Sequence, residues 1–187
     1  MKVYDHPKLA IEDLANVNKK YLKHIPNFGM ENDYIYSYKD RVFKITSSKQ
    51  EFLASKRIIG RNFNNVVKIY DSFECDILGK HSNNIWKSYV IEEEMLYRNG
   101  GEFLFKKLDF CALMGNVEKR LPYFVSVING LIELESVGIR YNDLHSLNVM
   151  FDKEKNAKLI DFGYVSLKKK YKPINVRLSL QDYRYRI

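Results

Sequence analysis

Apolar positions along the chain change period several times, and each change marks an element. Tyr34-Ile35-Tyr36-Ser37-Tyr38 and Arg41-Val42-Phe43-Lys44-Ile45-Thr46 are rich in aromatic and β-branched residues, which suit strands. Lys39-Asp40 joins them, so a β-hairpin is expected there. Residues 66–71 and 88–92 have the same character and are expected as two more strands, with residues 76–84 a polar hairpin between them. Helical spacing governs elsewhere. Over residues 7–22, Leu9, Leu14, Val17 and Tyr21 make a loose stripe, with Asp5 placed to cap and Pro7 in the first turn. Residues 49–59 read as a short helix closed by Gly60. Residues 121–136 align Phe124, Val127, Ile128, Leu131 and Leu134 and end before Gly138, a good helix terminator. Two short strands, 147–151 and 157–160, then flank the polar turn 152–156. Strands and helices in this mixture make an α+β protein.

Length and composition narrow the picture. The 187 residues leave room for one substantial core or two smaller ones. No apolar run approaches the roughly 18 residues of a membrane span. The start, MKVYDHPKL, lacks an apolar signal region, so neither a membrane nor standard secretion is expected. Cys75 and Cys111 have no metal-type spacing, and thiols in a reducing, cytoplasmic compartment of the producing or a host cell are expected. Net charge is +8, and the 24 residues after Gly163 hold seven basic residues against one acid, a net +6. That tail, 168–187, could dock acidic surfaces, phosphates or nucleic acid. A merely solvated face explains it equally well, and no recognisable nucleic-acid module accompanies it.

The chemistry concentrates in residues 137–163, VGIRYNDLHSLNVMFDKEKNAKLIDFG. Asn148 follows Asp143 by five residues, and Asp161 follows Asn148 by thirteen. A carboxylate near an acceptor hydroxyl, with an amide oxygen and a second carboxylate for hard cations, is what phosphoryl transfer asks of a protein. Any one of these residues alone is ordinary turn chemistry.

Together, D-L-x-x-x-N followed by D-F-G resembles the catalytic loop and metal-binding motif of the protein-kinase superfamily. Lys44, in V-F-K-I, resembles that family's phosphate-holding strand lysine. The resemblance covers roughly residues 25–165. It implies a two-lobed fold, a small antiparallel sheet plus helix over a reduced helical lobe, with ATP in the cleft. Residues 1–24 would be an N-terminal helical extension, 25–95 the upper lobe, and 96–187 a truncated lower lobe with the basic tail. It implies ATP and Mg²⁺ as cofactors, with Lys44 and Asp143 catalytic and Asn148 and Asp161 on the metal. Glu51 would orient Lys44. Glu93, Glu94 and Met95 would form the hinge facing adenine, with Glu92 at the rear of that pocket.

Several positions depart from the pattern. Gly29 alone stands where a glycine-rich loop would cover the phosphates, at 26–32. Tyr141-Asn142-Asp143 replaces H-R-D, so no arginine is present to receive a phosphorylated activation loop. His145 gives D-L-H, similar to small-molecule phosphotransferases; it could donate to a phosphate or be structural. Gly100-Gly101-Glu102 resembles the start of the lower lobe, yet no A-P-E follows. The compact pattern is that of bacterial-effector and phage kinases. The resemblance therefore implies a Ser/Thr protein kinase acting on a host or partner protein, with an activating host protein possible. A partner-binding pseudokinase is the alternative reading, and a small-molecule kinase the third.

Overall fold

Why the main sheet closes where it does follows from its alternating strands. The computed structural model describes residues 2–25, 34–78, 84–97 and 117–169. By contacts the chain divides into two units, Met1–Arg61 with Lys68–Met95, and Asn62–Val67 with Leu96–Ile187. In the first, the elements are β1 (Val3–Tyr4), α1 (Pro7–Leu14), β2 (Lys23–Ile25), β3 (Tyr34–Tyr38), β4 (Arg41–Thr46), α2 (Lys49–Ile58), β5 (Ile69–Leu78) and β6 (Ile85–Glu94). The strands form one six-stranded sheet in the order β1-β5-β6-β4-β3-β2. The class is α+β. The sheet is mixed rather than purely antiparallel, because β1 runs parallel to β5.

The hairpin β3–β4 has the bounds and the two-residue link expected from its pattern, with Tyr38 opposite Arg41. Alternation then sorts the side chains. On one face Tyr36, Phe43, Ile45, Cys75, Ile77 and Val90 pack with Tyr4, Ala10, Ile11, Val17 and Leu22, so the N-terminal stretch is part of this unit's core. On the other face lies α2, where Phe52 stacks on Tyr89 with centroids 4.5 Å apart. Burial of this apolar surface is the main stabilising term for the unit.

Four local expectations are corrected here. The first helix stops at Leu14, because Asn16 turns left-handed at φ 52°, a role asparagine tolerates; a 3₁₀ turn at Lys19–Tyr21 follows. Its cap is His6, whose ring accepts from the Lys8 amide at 3.1 Å, not Asp5. The strand expected at 66–71 begins at Ile69 and runs to Leu78, its partner reaching from Ile85 to Glu94, so the polar connection is shorter than 76–84. Val66 belongs to the second unit, bridged to Leu159.

The second unit contains α3 (Val117–Ser136), β7 (Ile139–Tyr141), β8 (Val149–Phe151), β9 (Ala157–Leu159) and β10 (Val165–Leu167). β7 pairs with β10 and β8 with β9, both antiparallel. The fourth correction is that Leu147 and Asn148 lie in a 3₁₀ turn, Ser146–Asn148, rather than in a strand. α3 ends as expected, Gly138 standing at φ +73°. Residues 62–67 are stitched to β9 and to α3. Leu159 N–H donates to the Asn65 carbonyl and Val67 N–H to the Leu159 carbonyl, each at 2.9 Å. The Glu133 carboxylate accepts from the amides of Asn64 and Asn65. The Asn65 side chain donates to the Ala157 carbonyl. Gly130 makes this approach possible, since a Cβ there would stand 2.5 Å from the Asn65 carbonyl oxygen. Among the described residues no helix is long and apolar enough to cross a membrane. The glycine-loop positions 26–32, Gly100-Gly101-Glu102, Cys111 and tail residues 170–187 lie outside the described residues.

Candidate active site

In the first unit the chemistry rests on a strand and the helix that follows it. Lys44 sits mid-β4, directly opposite Ile35 and Ile91, and is 7% exposed. Its Nζ donates to Glu51 Oε1 at 2.8 Å, and Glu51 is 1% exposed in the first turn of α2. The local sequence explains why this carboxylate points at the lysine. Ser48 caps α2 by accepting the Glu51 amide at 3.1 Å. A glutamate three residues after a capping serine ordinarily reaches back to the serine's own N–H. Here Thr46 Oγ1 takes that N–H, at 3.1 Å, and the Glu51 carboxylate goes to Lys44 instead. The pair follows from the strand lysine and the helix that comes after it, whereas Thr46 is marked in the sequence only by T-x-S-x-x-E.

Strand register also decides what shares the Lys44 face. Directly opposed residues of antiparallel strands project to the same side. Ile91 faces Lys44, whereas Glu92 faces Phe43 on the other side. Glu92 is therefore not at the rear of a pocket around Lys44. It is buried, ion-paired with Arg41. Glu93 and Glu94 remain within β6, opposite Val42 and Arg41. The Glu94 amide donates to the Lys68 carbonyl at 3.0 Å and the Met95 amide to the Asp40 carbonyl at 2.9 Å. An adenine contact through either N–H would require exchange of that bond. Beside them Tyr70 lies under Arg41 and Lys68, about 5 Å from each charge to the ring centroid. Burial, then the neighbouring Glu94 and Asp40 charges, raise its phenol above the ordinary range.

In the second unit, β7 delivers Asp143 onto a loop and β9 delivers Asp161. Asn148 bonds the first directly and the residue before the second. Its Nδ2 donates to Asp143 Oδ2 and to the Asp143 carbonyl, each at 3.0 Å. Its own carbonyl accepts the Ile160 amide at 3.0 Å, so Asp161 directly follows a residue tied to Asn148. With Nδ2 spent on Asp143, Asn148 Oδ1 is the side-chain atom left for a cation. Asp161 stands at φ +59°, an uncommon conformation that clusters at functional sites. The Gly163 amide donates to its Oδ1 at 3.1 Å, and a Cβ at Gly163 would crowd that oxygen at 3.3 Å. Phe162 is fully buried and meets Tyr141 edge to face, centroids 6.2 Å apart. The Tyr141 hydroxyl donates to the Ile160 carbonyl, so this tyrosine braces the strand end before Asp161. Its functional part was not visible from the sequence, because the contact spans nineteen positions.

The donor set suits magnesium better than a soft metal. One carboxylate and one amide oxygen are hard ligands, and Mg²⁺ is commonly held by one or two side chains plus substrate phosphates. Among the described residues no group of three or more His, Cys, Asp or Glu side chains could hold a metal by itself.

Comparison with known proteins comes down on the same side, coarsely. No family model matches the chain. The serine/threonine-protein kinase PknG of Mycolicibacterium smegmatis is 33% identical over 122 residues, which are 65% of this chain and 14% of that protein. The chain thus spans a small part of that relative's length, and the likeness supports a kinase-like relation at that level.

Proposed function

We propose that the protein is a Mg-ATP-dependent phosphotransferase that passes the γ-phosphoryl group to a serine or threonine hydroxyl of another protein. The observation that carries this reading is that Asn148 bonds Asp143 through its side chain and Ile160, the residue before Asp161, through its carbonyl. Bound Mg²⁺ would neutralise charge on the phosphates. Asn148 Oδ1 and Asp161 would hold it. Lys44, oriented by Glu51, holds the α- and β-phosphates, and Asp143 orients the acceptor hydroxyl. The bond from the γ-phosphorus to the leaving oxygen of ADP breaks as the bond to the acceptor oxygen forms. The hydroxyl proton passes to Asp143 and on to solvent. Early proton removal is not required, because the transition state is loose. A protein substrate, an activating partner and the compact effector-like or phage-like character all belong to this proposal. Glu93 and Met95 remain the proposed adenine neighbours.

The test is γ-phosphate incorporation from labelled ATP into lysate proteins. Asp161→Asn is the informative variant, since asparagine also tolerates the left-handed backbone. Mg-dependent incorporation should disappear while the thermal midpoint holds. Retained transfer would refute the metal assignment.

A second reading is a partner-binding protein with little chemistry. It is favoured by the engagement of the Glu94 and Met95 amides inside the first unit. Magnesium-dependent thermal stabilisation by ATP without phosphate incorporation, in the presence of lysate, would select it.

A further inference from the structure

His145 is half-exposed on the loop after β7, and its two ring nitrogens have different neighbours. Its Nδ1 accepts the Leu147 amide at 3.2 Å, so a neutral ring carries its proton on Nε2. That Nε2 stands 3.4 Å from Asp143 Oδ2. The same Oδ2 accepts the Asn148 side chain at 3.0 Å. The histidine's main chain is anchored as well, its carbonyl accepting the Asn148 amide at 3.1 Å. Asn148 therefore hydrogen-bonds one oxygen of Asp143, while the edge of the His145 ring packs 3.4 Å from that same oxygen, the two residues closing a single 3₁₀ turn. The other oxygen, Oδ1, is left to an incoming hydroxyl.

We infer that His145 is a positioning residue: it fixes the rotamer of Asp143 so that Oδ1 presents to the acceptor hydroxyl, rather than meeting a phosphate itself. The inference rests on the proposed phosphotransfer reading. A pair of side chains this exposed adds little to stability, so orientation is the effect to look for. A carboxylate with two similar oxygens can rotate. Pinning one of them removes that freedom before the acceptor arrives, which is how fixed geometry lowers a barrier.

The experiment has a kinetic arm and a spectroscopic arm. In the kinetic arm, His145→Ala should lower kcat for phosphate transfer about tenfold, as loss of an orienting partner typically does, with KM for ATP unchanged. His145→Gln places a donor nitrogen where Nε2 stood and should restore most of that loss. In an Asp143→Asn background the His145→Ala change should cost nothing more, because the histidine acts through the aspartate. A full additional loss in that background, or a raised KM for ATP, would assign His145 to the phosphates and overturn the inference. The spectroscopic arm needs no turnover. Imidazole ¹⁵N spectra of the intact protein should show His145 as the Nε2–H tautomer, its Nε2 resonance moving on Asp143→Asn. An Nδ1–H tautomer, or an Nε2 resonance indifferent to Asp143, would overturn the inference even if transfer is observed. Absence of transfer in the wild type, with the expected tautomer and shift, would strike the phosphotransfer reading and leave the contact standing.

Discussion

The two halves of the candidate chemistry are built on opposite plans. Lys44 and Glu51 are buried charges locked between a strand and a helix. Asp143 and His145 are 35% and 46% exposed on a loop, held by hydrogen bonds along a few residues of backbone. A buried pair must stay complete, because removing one partner strands the other charge away from water. An exposed cluster can lose a member and keep its fold. Function and stability are thus inseparable at Lys44 and separable at Asp143.

The sharpest way to break this contrast is Lys44→Ala. It should destabilise the protein by about 3–5 kcal/mol, the cost of an uncompensated buried carboxylate, read as a lowered urea midpoint. A loss within about 0.5 kcal/mol, the range of ordinary surface changes, would show that the pair is wet and the contrast mistaken. Lys44→Met with Glu51→Leu should regain much of that stability, since apolar replacement of a buried pair is often neutral. Phosphate transfer would stay absent.

Next in size is Gly130→Ala in the second unit. The added methyl meets the Asn65 carbonyl oxygen at 2.5 Å, which should cost about 1–3 kcal/mol. Thermal unfolding would check it; an unchanged midpoint would mean α3 shifts without penalty. Thr46→Val is smaller. It returns the Ser48 N–H to Glu51, loses a hydrogen bond of about 1 kcal/mol, and should lower transfer more than stability. Equal stability and equal transfer would dismiss Thr46 as the agent that releases Glu51.

The last effect, confined to alkaline pH, lies at Cys75. Burial, then the nearby Asp76 and Glu74 charges, push its thiol from 9.0 up to about 11. In the unfolded chain the thiol ionises first, so stability tied to it is complete below pH about 9 and falls toward pH 11. The urea midpoint should therefore drop more steeply over that range in the wild type than in Cys75→Ser. Parallel curves would place the thiol in contact with solvent.

How much was legible beforehand varied with the range of the contacts. The hairpin β3–β4 matched its expected bounds, because alternation and a two-residue link are local signals. The start of α2 at Lys49 was equally local. The first helix was read too long, since one left-handed asparagine outweighed an apolar stripe. β1 was missed altogether: two residues make no periodic pattern, and its partner lies more than seventy positions away. Val66 and Val67 read as the start of a strand, yet the hydrogen bonds of residues 62–67 go to α3 and β9. In the candidate site, Asp143, Asn148 and Asp161 were visible as types at a spacing, and Lys44 with Glu51 as a strand and helix pair. The roles of Thr46 and Tyr141 were not visible.

What the chain determined alone was its inventory of oxygen and nitrogen groups and the short elements that carry them. Period, caps and turns depend on neighbours a few residues apart. Tertiary structure decided the directions: Glu92 turned away from Lys44, Asn148 Nδ2 given to Asp143, Gly130 pressed on the Asn65 carbonyl. A side chain's direction is set by pairing register and by contacts between distant residues, and shifting a register by one position exchanges the two faces of a sheet.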